Sequence, residues 1–93
     1  MNTEFVDHTE AHRYELRSGD EVLGFIDYRL TDGVIALVHT EVDPAHSGQG
    51  HAAALAGGAL DDARSRGLMV VPSCDYVASY IDKHPAYADL LAG

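Results

Sequence analysis

Glu41-Val42-Asp43-Pro44-Ala45-His46-Ser47-Gly48-Gln49-Gly50-His51-Ala52-Ala53 joins an apolar run to an alanine-rich one, and its reading decides the fold. Pro44 has no N–H for a sheet ladder and steers Asp43 away from helical angles, so a strand must end at Val42. Upstream, Val34 to Val42 has the β-branched character of that strand. In regular alternation Val34, Ala36, Val38, Thr40 and Val42 point one way and Ile35, Leu37, His39 and Glu41 the other. Both sets are mostly apolar, which predicts a sheet covered on both faces. Downstream, Ala52, Leu55, Ala56, Ala59 and Ala63 recur at helical spacing, predicting an amphipathic helix from His51 to Arg66, with Gly67 to stop it. Gly57-Gly58 inside that helix costs roughly 1–2 kcal/mol of propensity relative to two alanines.

Working outward, Tyr14 and Leu16, the turn Ser18-Gly19-Asp20, the run Val22 to Leu30 and the turn Thr31-Asp32-Gly33 form a β-meander with the Val34–Val42 strand. Past the helix, Leu68-Met69-Val70-Val71-Pro72 is a buried strand, parallel to Val34–Val42 because a helical crossover leads to it. Ser73 to Lys83 is a short helix, ended by Pro85 before a last turn around Tyr87 to Leu91. Residues 1 to about 10 carry no periodicity and read as a loosely ordered lead-in. The fold class is therefore α/β, with an α+β style mixed sheet in the order β-β-β-α-β-α, forming a single domain over 1–93.

The chain of 93 residues, 46% hydrophobic and 23% charged, has the composition of one folded core. Six Lys and Arg against fifteen Asp and Glu leave a net charge of -9, the wrong sign for gripping a phosphate backbone, so nucleic acid is not an expected partner. The same field draws in cationic small molecules, amines or Lys-rich peptides. The single Cys74 can make neither an intrachain disulfide nor a zinc ribbon. The N-terminus lacks a basic start and apolar core, and no stretch approaches the roughly 18 apolar residues of a span, so a cytoplasmic location without membrane attachment is expected.

A helix start exposes unpaired N–H groups, and glycines beside it let a phosphate reach the backbone. The Glu41–Ala53 junction therefore reads either as an anion cradle that acts whatever the net charge, or as a tight connection from Pro44 to Gly50 that merely opens a helix. A Walker loop is excluded because His51-Ala52 stand where Lys and Ser or Thr are required. Gly48-x-Gly50-x-x-Ala53 matches the dinucleotide fingerprint formally, but a meander precedes it instead of the first strand of a doubly wound sheet. The third reading is acyl-coenzyme A. His39 to Ala52, followed by Val70-Val71-Pro72-Ser73-Cys74-Asp75-Tyr76-Val77 and Tyr80-Ile81-Asp82-Lys83-His84-Pro85-Ala86-Tyr87, resembles the GNAT superfamily of N-acetyltransferases. The likeness covers about residues 12 to 91 and is greatest to the short subfamily that keeps mainly the coenzyme-binding half.

The resemblance implies acetyl-CoA as cofactor and a primary amine as acceptor, with Glu41, Val42, Ser47, Gly48, Gln49, Gly50, His51, Ala52 and Ala53 along the coenzyme. Gly50 and Ala52 match the family's loop landmarks. Ser47 stands where the family has Gln or Arg, and Gln49 is a substitute donor. The resemblance also implies that the strands ending at Val42 and Pro72 splay apart, with a backbone N–H near Glu41 or Val42 polarising the thioester carbonyl. Cys74 then lies near the acetyl group, as nucleophile or as the acid protonating the departing thiolate. Read alone, it is a small buried side chain.

His39 is either a base for an ammonium acceptor, a partner for Cys74, or a core histidine beside Ile35 and Leu37. Tyr80 reads as packing, and Asp27 and Glu41 as solvent-facing or as recognising a cation. His8 and His12, four apart, lack a third ligand, and His46, His51 and His84 are scattered, so no metal site is expected. The acceptor-site elements of larger relatives are missing. The alternative function is therefore a non-catalytic acyl-CoA-binding or interaction module; oligomeric state is left open.

Overall fold

The computed structural model describes residues 3–92. Its sheet has five strands in the order β1-β2-β3-β4-β5: β1 Glu4–His8, β2 Arg13–Ser18, β3 Glu21–Thr31, β4 Val34–Val42 and β5 Met69–Pro72. The first four are antiparallel neighbours, and β5 returns parallel to β4 after helix α1, His51–Ser65. Helix α2 spans Asp75–Lys83, and a 3-10 turn covers Pro85–Leu90. No helix among the described residues is long and apolar enough to cross a membrane.

Two expectations are corrected. The expected lead-in over residues 1 to 10 contains an edge strand, since Glu4 to His8 pairs in register with Arg17 to Arg13; Met1 and Asn2 lie outside the described residues. The strand was hidden because its burial comes from tertiary contacts: Phe5 stacks on Tyr14 at 5.1 Å between ring centroids, and Asp7 accepts from the Tyr28 hydroxyl at 2.6 Å. The second correction concerns the faces of the sheet. Helices α1 and α2 pack on one face, where Tyr14, Ile26, Ile35, Leu37, Leu55, Leu60, Val70 and Val77 form one buried cluster. Among the described residues the other face carries no helix, and Val38, Met69 and Val71 are exposed on it.

The alternation assumed for β4 is broken by a bulge. Asp27 pairs with His39 and Tyr28 with Leu37, leaving Val38 as an extra residue that reverses the parity of everything after it. Residues directly opposite in an antiparallel pair share a face. Thr40, opposite buried Ile26, and Val42, opposite Gly24, therefore join Ile35 and Leu37 on the helix side. His39 and Glu41 turn to the open side with Asp27 and Phe25.

Helix α1 is fastened to the sheet by Tyr14, whose hydroxyl donates to Asp62 at 2.7 Å. Burial, reinforced by the Asp62 carboxylate, pushes the Tyr14 pKa up and keeps the phenol a neutral donor. The glycine pair of α1 has a packing reason: a Cβ on Gly58 would stand 2.7 Å from the Phe5 ring, and one on Gly57 would stand 3.0 Å from the Tyr80 hydroxyl.

Candidate active site

The β4–β5 ladder runs from Val34↔Met69 to Leu37↔Pro72 and stops, although β4 continues to Val42. The chain after β5 turns away into α2, with Cys74 N–H donating to Leu37 carbonyl at 2.9 Å just past the end of the ladder. β5 is paired over its whole length, so the expected splaying of two strands is replaced by a simpler arrangement. β4 runs on past the end of β5, and its edge on the β5 side from Val38 to Val42 has no strand beside it among the described residues. Asp43 N–H donates to Leu23 carbonyl at 2.8 Å, which fixes the alternation of the antiparallel ladder. By that alternation the N–H groups of Thr40 and Val42 point away from β3, along the edge of β4 that β5 leaves uncovered.

Cys74 lies beside this uncovered edge as the residue at the N-terminal cap of α2. Its thiol donates to Thr40 Oγ1 at 3.2 Å. Burial alone would raise the thiol pKa. The Thr40 hydroxyl and the N–H groups of Val77, Tyr76 and Thr40 outweigh it and bring the pKa below the ordinary thiol value. The residue facing Cys74 is therefore Thr40. The bulge at Val38 separates His39 from it, so the expected pairing of Cys74 with His39, and the expectation of a core histidine, both give way. His39 is 56% exposed on the open face, with its ring 6.1 Å from that of Phe25 and Nε2 3.7 Å from a Glu41 oxygen. Regular alternation conceals Thr40. The visible signal was a hydroxyl near the end of an otherwise apolar strand.

Past β4, Asp43 caps a 3-10 turn, Pro44–His46, by accepting from Ala45 N–H at 2.9 Å. Ser47 donates its hydroxyl to Pro44 carbonyl at 3.2 Å, so the side chain found in place of Gln or Arg shapes the loop internally. Gly48 and Gly50 both have φ near 79°, and no atom lies within 4 Å of where a Cβ would stand at either. The loop surface is therefore bare backbone. Gly50 caps α1 without a side-chain hydrogen bond, leaving the first-turn N–H groups of His51, Ala52 and Ala53 without a capping acceptor. Gln49 and His51 turn their side chains to a cleft shared with His46 and Glu21. Tyr80 packs between α1 and α2, stacked on His84 at 4.0 Å. On the open face a cleft of about 410 Å³ lies among Arg13, Phe25, Glu41 and Asp43.

The candidate site therefore combines the uncovered end of β4, the Cys74 thiol and a glycine-opened helix start in one mixed-sheet α/β protein. The chain belongs to the GCN5-related N-acetyl-transferase family, whose model matches residues 13–90. Among solved structures it is similar to that of a GCN5-like N-acetyltransferase candidate from Staphylococcus aureus. The identity is 25% and the TM-score 0.72, over 97% of this chain and 88% of that one. It also shares its fold with the ribosomal-protein-alanine N-acetyltransferase of Brucella melitensis biovar Abortus 2308, at 23% identity and TM-score 0.58. That match covers 87% of this chain but only 63% of the larger one.

Proposed function

We propose that this protein transfers an acetyl group from acetyl-coenzyme A to a primary amine. The carrying observation is the edge of β4 that β5 leaves uncovered past Leu37, with Cys74 beside it and a glycine-opened helix start at the next turn of chain. The pyrophosphate would rest on N–H groups between Ser47 and Ala53, where the cradle is clear of side chains and the helix adds a partial positive charge. The pantetheine arm would run along the uncovered edge of β4 from Thr40 to Val42, beside Glu41. The Val42 N–H group would face the thioester oxygen as it gains charge, the Thr40 N–H being turned to the Cys74 sulfur.

In the covalent route the Cys74 thiolate attacks the acetyl carbon, the C–S bond to the coenzyme breaks, and the leaving thiolate takes up a proton. The amine then attacks acetyl-Cys74, forming the amide and returning the thiolate. In the direct route the amine attacks the coenzyme thioester and the Cys74 thiol protonates the leaving sulfur. The amine approaches from the open face, where Glu41 and Asp27 attract a cation and His39 accepts its proton. A cytoplasmic setting suits the free thiol.

Native mass spectrometry with acetyl-coenzyme A, followed by peptide mapping, tests ligand and route together. A one-to-one complex with acetyl retained on Cys74 supports the covalent route; a complex without it leaves the direct one. Cys74→Ala is expected to keep coenzyme binding and lose about 100-fold or more in turnover of an amine panel. Undiminished turnover would remove the thiol from the mechanism. Tight binding with no turnover of any amine would identify a non-catalytic binding module, and no complex at millimolar coenzyme would overturn the reading.

A further inference from the structure

We propose a divalent transition-metal site formed by Glu21, Asp43 and His46. The three come from the start of β3, the residue after β4 and the end of the Pro44–His46 turn, so only the folded chain brings them together. One ligand-type atom from each lies within 4.8 Å of the other two. His46 Nε2 and Glu21 Oε2 are already 3.0 Å apart. The two share a direct hydrogen bond, which an ion bound by both atoms at about 2.0–2.2 Å would replace with little movement of either side chain. The Asp43 carboxylate is oriented by the Ala45 N–H on Oδ1 at 2.9 Å, which leaves its other oxygen for the ion.

A second observation lies beside two of the three, Glu21 and His46. His51 Nε2 is closed off from solvent and has no hydrogen-bond partner among the described residues. Its ring lies 6.2 Å from that of His46, and both line one cleft with Glu21 and Gln49. A buried, unsatisfied imidazole nitrogen commonly marks an absent water or ion, and a water completing the ion's coordination would satisfy it. One imidazole with two carboxylates suits zinc, cobalt or manganese better than magnesium, which keeps most of its own water. Such an ion would pin the β2–β3 turn to the loop that opens α1. The net charge of -9 supplies a field that attracts it.

The test is titration of the whole chain with Co²⁺ followed by visible absorption and melting temperature, with Zn²⁺ as competitor and Mg²⁺ as control. One equivalent of Co²⁺ is expected to bind, to be displaced by Zn²⁺ but not by Mg²⁺, and to raise the melting temperature. Glu21→Gln and His46→Gln, both at the surface, should each weaken binding about tenfold or more while unliganded circular dichroism is unchanged. His12→Gln should bind as the native chain does. Absence of saturable binding, or binding equal to native in both Glu21→Gln and His46→Gln, would overturn the site. Coenzyme takes no part in the experiment, so its result is independent of the acetyl-transfer reading.

Discussion

Glu15 shows how a single side chain can be both buried and charged on a sheet face without a helix. Its carboxylate is 1% exposed because Arg13, Arg17 and His8 fold over it. Burial pushes its pKa up, but hydrogen bonds from His8, Arg13 and Arg17 prevail and hold it at about 2. A pKa depressed in the folded state gives stability that is present above the unfolded value of about 4.5 and is lost as pH falls toward about 2. Acid denaturation should therefore show a loss of about 3 kcal/mol across that window. Glu15→Gln should lose about 2–4 kcal/mol in urea at pH 7 and flatten the acid limb. At the uncovered edge of β4, Thr40→Val removes the hydroxyl facing Cys74 and should raise the thiol pKa. Alkylation of Cys74 at pH 7 should slow about five- to tenfold, and an unchanged rate would discount the contact.

At the scale of elements, the position of β4 is set by what packs against its end. A Cβ on Gly24 would stand 2.8 Å from Glu41 carbonyl oxygen, 3.1 Å from Leu55 Cδ1 and 3.2 Å from Val42 Cγ2. The oxygen belongs to the backbone and yields only if β4 moves. Gly24→Ala should cost about 1–3 kcal/mol in chemical denaturation and also weaken coenzyme binding, because Val42, next to Glu41, lies on the uncovered edge of β4. Stability lost with binding unaltered would show that the edge tolerates displacement. The glycine pair in α1 follows similar logic. Its propensity cost was legible in the sequence, whereas its use, admitting the Phe5 ring and the Tyr80 hydroxyl, depends on elements far away in the chain.

For the whole molecule, charge and layering act together. The net charge of -9 surrounds a sheet with one bare face, and Glu41, Asp27 and Asp43 lie on or beside that face at the cleft end. Steering of a cationic acceptor should then be screened by salt. From about 0.02 M to about 0.2 M salt, kcat/KM should fall about three- to tenfold for a charged amine acceptor. It should change little for a neutral isostere. Equal salt responses would show that the field has no part in acceptor capture.

The order of strands and helices from β2 onward was legible because it rests on local physics. Pro44 ends a strand, Ser18-Gly19-Asp20 and Asp32-Gly33 turn the chain, and the spacing from Ala52 to Ala63 makes one helix face apolar. The loop from Ser47 to Ala53 was legible for the same reason, since its chemistry belongs to its own backbone. The extra strand Glu4–His8, the bare sheet face, the Thr40–Cys74 contact and the Glu21–Asp43–His46 cluster were decided only in the tertiary structure. Each depends on a partner remote in sequence. The bulge at Val38 adds a register shift that exchanges the faces of His39 and Thr40, and alternation read along one strand cannot reveal the residue its neighbour leaves unpaired.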